Sequence, residues 1–162
     1  MRGVRKQLEL VAALLCEETT LSLSTTGAGG LACVAPLFYI VDADLSIYWL
    51  SSKSSVHSLN LARTPQAAAT VYRSVESWKK IRGVQLRGTV SKVTKPELRV
   101  ALVKAYCERF KLGRVLCLAI RQSSLYCLQP DFIRYIDNAR GFGSKFELTR
   151  GSEGWSLTRP PV

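Results

Sequence analysis

The chain has 162 residues, 47% hydrophobic and 22% charged, a composition that suits one globular domain and excludes a disordered or low-complexity chain. Lys and Arg outnumber Asp and Glu by 23 to 12, and the net charge of +11 favours an anionic partner: a nucleotide, a phosphorylated substrate, an acidic protein or nucleic acid. The longest apolar run, Leu31 to Val41, is broken by Pro36 and falls short of the ~20 residues a membrane helix needs, and the Leu8 to Leu15 stretch, flanked by Glu9 and Glu17-Glu18, makes no signal peptide. A cytoplasmic protein without a membrane partner is therefore expected.

The first predicted element is an amphipathic helix from Arg5 to Glu17, with Leu8, Val11, Ala12 and Leu15 on one face. Leu21 to Ser24 alternates as a strand, Gly27-Ala28-Gly29-Gly30 turns, and Leu31 to Val41 returns, making a hairpin. Asp42-Ala43-Asp44 is a second turn, and Ser46 to Ser51 is a third strand running into a short helix from Val56 to Arg63. Thr64-Pro65 stops that helix and Ala67 to Val75 reads as a fourth strand.

In the fifth strand Val84, Leu86, Gly88 and Val90 share the core face, while Gln85, Arg87, Thr89 and Ser91 share the polar one. Pro96 and Glu97 open a helix to Phe110, with Leu98, Ala101, Leu102 and Ala105 expected inside. Ser124 to Leu128 and Phe132 to Ile136 form a sixth strand, bent at Gln129-Pro130-Asp131 because proline suits an edge or a bulge. Residues 1–150 are thus expected to form one domain and 151–162 a tail or partner-contact arm. Six strands in largely meander order, with helices after the third and fifth, predict a closed or nearly closed antiparallel barrel.

The five cysteines are odd in number and lie apart among apolar neighbours, so they read as reduced, buried thiols rather than as metal ligands. Basic residues are spread along the chain without a Lys/Arg block or a nucleic-acid motif, which leaves nucleic acid as a lesser reading.

Chemistry concentrates at Ser51-Ser52-Lys53-Ser54-Ser55, where a strand hands over to a helix. Four hydroxyls, a cation and free backbone N–H groups at a helix start form an anion site suited to phosphate. The only histidine, His57, lies one turn in. No Gly-x-Ser-x-Gly elbow, paired carboxylate or Gly-Lys-Ser/Thr P-loop ending is present, which argues against a serine hydrolase, a glycosidase and a P-loop nucleotidase. The segment Arg134 to Lys145 ends a strand in a Gly141-Phe142-Gly143 loop, either a plain turn or a carrier of an aromatic ring and cations to a ligand rim.

Four passages resemble the pyridoxamine 5′-phosphate oxidase-like split-barrel family, which binds flavin mononucleotide (FMN): Ala32 to Tyr39; Tyr48 to Ser52 with the helix to Pro65; Ile81 to Gly88; and Asp137 to Gly143. The last two look like a small bacterial branch of it. The resemblance implies a six-stranded antiparallel split barrel and a homodimer with two flavins in clefts between subunits. It puts the flavin phosphate on Leu50, Ser51, Ser52, Lys53 and His57, and the ring along Ala35, Pro36 and Leu37. Gly83 and Gln85 would border the ring's far side, with Phe142 and Lys145 at the rim.

The chain departs from the family's oxidases in three places. Val56-His57 stands where they commonly carry Arg-Lys, Gly83 stands where they carry a Gln, and their C-terminal Arg-x-His is absent. Pyridoxamine phosphate oxidation is therefore not expected. The resemblance implies an FMN-dependent oxidoreductase of unknown substrate; the alternative is a non-catalytic module using the same barrel for another anionic ligand or partner.

Overall fold

Val11, Leu14 and Leu15 are almost completely buried on helix α1 (Arg2–Glu17), and that apolar stripe seats the helix across a sheet. The structure is a computed structural model describing residues 2–159; the end of the expected tail, 160–162, lies outside the described residues. After α1 come β1 (Thr20–Thr26), β2 (Ala32–Phe38), β3 (Ile40–Val41) and β4 (Ile47–Ser51). Helix α2 (Val56–Arg63), β5 (Gln66–Tyr72), β6 (Arg82–Lys92), α3 (Pro96–Arg109) and α4 (Arg114–Ile120) follow. The chain ends in β7 (Ser124–Asp137), β8 (Lys145–Gly151) and β9 (Gly154–Arg159).

All pairings are antiparallel, along the path β2-β1-β5-β6-β7-β4-β3. Its two ends, β2 and β3, are consecutive in the chain and separated only by Tyr39, so the path returns on itself. Counted as barrel staves, β2 and β3 are the single Leu31–Val41 strand expected from sequence, and the barrel has six staves. Tyr39 breaks that strand because its fully buried hydroxyl donates to Leu15 O of α1 at 2.7 Å while its N–H reaches Thr19 O at 3.3 Å. Burial pushes this phenol well above its usual range.

β7 is shared. Its first half pairs with β4 as far as Leu128, and its second half pairs with β8 from Phe132 onward. Pro130, which has no N–H to donate, lies in the gap between those partners. Across β7 the register with β6 shifts between Arg87 and Gly88, so of the edge or bulge that a proline suits, the bulge is the one present.

The structure corrects three expectations and adds a helix. Gly154–Arg159, read as tail, is a strand paired with β8, and Phe146 and Leu148 of β8 belong to the main core. Helix α4 was not foreseen. On α3 the inward side chains are Leu102, Val103 and Tyr106, whereas Leu98, Ala101 and Ala105 are exposed, so the buried face is turned by about one residue. Nor are the cysteines all reduced and buried: Cys107 and Cys117 are bonded, tying α3 to α4, Cys16 is exposed and Cys33 is half-buried.

Asp42 fills its turn role through one oxygen, which accepts from the N–H groups of Asp44 and Ser46 at 2.9 Å, while the other accepts from Tyr48 Oη at 2.8 Å. No helix among the described residues is long and apolar enough to cross a membrane.

Candidate functional site

β4 delivers Leu50 and Ser51 to one mouth of the barrel, and the chain turns through Ser52–Ser55 into α2. Ser55 is the helix N-cap: its Oγ accepts from Ser58 N at 3.4 Å and its carbonyl from Leu59 N at 3.0 Å. The N–H groups of Val56 and His57 precede the first helical bond and have no carbonyl inside the helix.

His57 Nε2 lies 2.5 Å from Ser51 Oγ and 3.0 Å from Ser55 Oγ. Ser55 Oγ also approaches Ser52 O at 3.0 Å and Ser58 Oγ at 2.8 Å, and with one proton it donates to only one of them at a time. Ser52 and Ser54 hydroxyls share a 2.8 Å bond. Lys53 and Ser52 are exposed, and Leu50 is half-buried against a satellite core with Tyr106 and Phe110. The cluster therefore offers side-chain donors that now satisfy one another, together with the Val56 and His57 amides that have no helical partner. This donor set fits an oxyanion such as phosphate, which would compete with His57 for Ser51 and with Ser54 for Ser52.

Burial holds the His57 imidazole below its ordinary 6.5, so it is neutral near pH 7. The unfolded chain then binds this proton more tightly than the folded one. Stability is therefore level above 6.5 and falls as pH drops through that value. Thermal unfolding at pH 7.5 and 5.5 should show a loss in wild type that is smaller in His57→Gln; an equal loss in both would dismiss His57 as the titrating group.

The remaining predicted residues fall into separate groups. Ala35, Pro36 and Leu37 pair with Leu23, Ser22 and Leu21, Leu37 packing on the main core and Pro36 facing out. Gly83 is buried opposite Tyr72 and Ile136, near the far mouth. Phe142 is 85% exposed, edge-on to Trp78 at 5.3 Å, and Lys145 begins β8 opposite Ile136. Ser51 pairs with Ser124 at the start of β7 and Gly83 with Ile136 near its end, a separation of roughly 40 Å of strand contour. One copy of the chain does not bring the serine cluster and the Gly83–Phe142–Lys145 group together.

Gln85 lies between them on the outer sheet face, where its Oε1 accepts from Arg134 at 3.2 Å. It helps line a groove of about 380 Å³ floored by the small side chains Ser22, Ser24, Ala68 and Thr70 and walled by Val34, Arg87 and Phe132. Arg87 and Arg134 both sit over the Phe132 ring, at 5.0 and 5.7 Å from its centroid. The sequence reading placed Ser55 in the anion cluster but not as the helix cap, and it singled out neither Ser58 nor, apart from Gln85, the residues of this groove. A serine just ahead of a helix start signals an N-cap and would have found Ser55 in that role; nothing local in the sequence aligns four strands' outward residues into a groove.

A six-stave antiparallel barrel opened by a forked strand, with helices at its flanks, is a split-barrel protein. The chain belongs to the pyridoxamine 5′-phosphate oxidase family, whose sequence profile matches residues 8–124. It is 31% identical over 148 residues to the UPF0306 protein YhbP of Escherichia coli O157:H7, covering 90% of this chain and 95% of that one. Among solved structures, a pyridoxamine 5′-phosphate oxidase-related, FMN-binding protein of Nostoc punctiforme superposes with a TM-score of 0.70 at 13% identity, over 98% and 95% of the two chains. HutZ, the heme storage protein of Vibrio cholerae, superposes with a TM-score of 0.65 at 21% identity, over 75% and 88%.

Proposed function

We propose that this chain is an FMN-binding flavoprotein and an oxidoreductase, with the flavin phosphate held by Ser51, Ser52, Lys53 and the amides at the start of α2. The observation that carries this reading is the concentration of hydroxyl and unpaired amide donors between Ser51 and His57. Ala35 to Leu37 would lie along the ring. When bound, FMN supplies hydride transfer itself, and the protein's part is to orient it and admit a second substrate. The Nostoc protein of the same fold binds FMN, which supports the reading.

The separation of the serine cluster from Gly83, Phe142 and Lys145 makes a second copy part of the proposal. A two-fold pairing across the outer face of β2, β1, β5 and β6 would set one copy's serine cluster against the other's far mouth, and would cover Val34 and Phe38, which are 69% and 54% exposed. Light scattering should give a dimer mass.

Flavin titration followed by fluorescence quenching tests the site. Replacing Ser51 and Ser52 together by Ala is expected to weaken FMN binding by about tenfold or more, and Lys145→Ala by no more than about threefold, because Lys145 stands only at the rim. Equal losses would remove the serines from the phosphate site.

The second reading is a non-catalytic module for another anionic ligand. The outer groove, with a floor of small side chains, Val34 and Phe132 as walls and Arg87 beside it, suits a flat, largely apolar carboxylate such as heme, and HutZ is a heme storage protein of this fold. Heme uptake with no FMN uptake would favour it.

A further inference from the structure

We propose that the α3–α4 hairpin docks this protein peripherally on an anionic lipid bilayer. α3 turns Leu102, Tyr106 and Phe110 onto Ile40, Tyr48 and Leu125, and leaves Val100 on the opposite side 69% exposed. α4 buries none of its residues: Val115, Leu116 and Leu118 are 84%, 50% and 60% exposed. A soluble domain gains nothing from presenting such a cluster to water, so an apolar medium is its fitting neighbour.

The charge around the cluster names that medium. Between Lys95 and Arg121 the sequence carries seven basic residues against two acidic ones, Glu97 and Glu108, so this hairpin carries +5 of the chain's +11. Apolar side chains flanked by Lys and Arg are the composition of helices that lie in the headgroup layer of anionic membranes. A second copy of the same patch would bring like charges together. Nucleic acid would use the cations but leave the aliphatic side chains idle, and no aromatic ring on α4 offers base stacking.

The surface is also held in place. The Cys107–Cys117 bond ties α4 to α3, and the Arg99 guanidinium donates to Arg121 O at 2.7 Å and Ser123 O at 2.6 Å, anchoring the end of α4. An open groove of about 490 Å³ lies between the helices, with Val100 and Val103 inside and Lys104 and Arg121 at its edge, room for an acyl chain beside a headgroup phosphate. Little ordering cost remains to be met on docking. This proposal does not depend on the flavin reading.

Sedimentation of the full chain with vesicles tests it. Wild type is expected to bind phosphatidylglycerol-containing vesicles at least tenfold more tightly than pure phosphatidylcholine. Val115→Asp/Leu118→Asp should lower that binding at least tenfold, and the milder Val115→Ser/Leu118→Ser about threefold, with thermal unfolding unchanged. Arg114→Gln/Arg121→Gln should lower it about twentyfold, near fivefold per cation. Lys79→Gln/Lys80→Gln, which removes two cations at the other end of β6, should lower it far less. The proposal is overturned if wild type stays in the supernatant, if it binds both vesicles alike, or if the Lys79/Lys80 pair matters as much as Arg114/Arg121. It is equally overturned if both Val115/Leu118 variants bind as wild type does, which would leave simple attraction to a polyanion such as an acidic protein.

Discussion

Gly88→Ala is expected to lower stability by at least about 3 kcal/mol, a fall of roughly 10 °C in melting temperature for a chain of this size. A Cβ at this position would lie 2.0 Å from Gln129 O and 2.8 Å from Pro130 Cα, and these are backbone atoms of the neighbouring strand that no rotamer change can move aside. The crowding lies at the bulge, where the register shift leaves Asp131 unpaired in the ladder and the backbone of Gln129 and Pro130 crosses close to Gly88. Gly83 on the same strand gives the control: there the nearest atoms stand at 3.3 Å, so Gly83→Ala should cost no more than about 1 kcal/mol. Circular dichroism melts of the two variants decide it, and similar melting temperatures for both would contradict the assignment.

The second large effect is a gain. On the proposed phosphate site, Val56→Arg with His57→Lys should tighten FMN binding by about a hundredfold, measured by fluorescence quenching. Two terms add. Each cation within reach of a phosphate contributes a charge-assisted bond of roughly 1.5–3 kcal/mol, reduced where the group is well solvated. Removing the imidazole also frees the Ser51 hydroxyl, now 2.5 Å from His57 Nε2, to donate to the ligand. Val56 is 63% exposed and His57 half-buried, so the longer side chains meet little obstruction. Unchanged affinity would mean that the anion, if one binds, sits elsewhere. Burial keeps the imidazole uncharged, so the wild-type site offers a phosphate no cation at position 57.

The barrel was legible because its signals are local. The two faces of β6 alternate over Val84 to Ser91 as read, the α1 stripe is the buried one, and Pro130 sits at a bulge. What escaped reading depends on partners distant in sequence. Lys145–Gly151 becomes a strand because β7 offers it the edge that β4 leaves free beyond Leu128, and α4 exists where Cys117 is tied to Cys107. The face of α3 was misjudged because its apolar residues lie all round the helix, and the choice between them was made by Ile40, Tyr48 and Leu125 on the sheet. The serine cluster was found from sequence, but its closed network with His57 was not, since hydroxyl partners are set by side-chain geometry rather than spacing.

The forked strand β7 also dictates when this protein can fold during synthesis. β4 has no stave beside it except tiny β3 until Ser124–Leu128 emerges, and Phe146 and Leu148 enter the core only once β8 is made. At about 5–20 residues per second, more than half of the chain waits for seconds with Ile47 and Trp49 uncovered. Local pairing of β1 with β2, and of β5 with β6, is available early; closure is not. Ribosome-bound nascent chains ending before Ser124 should therefore be the aggregation-prone species, and slower translation should lengthen that exposure rather than relieve it.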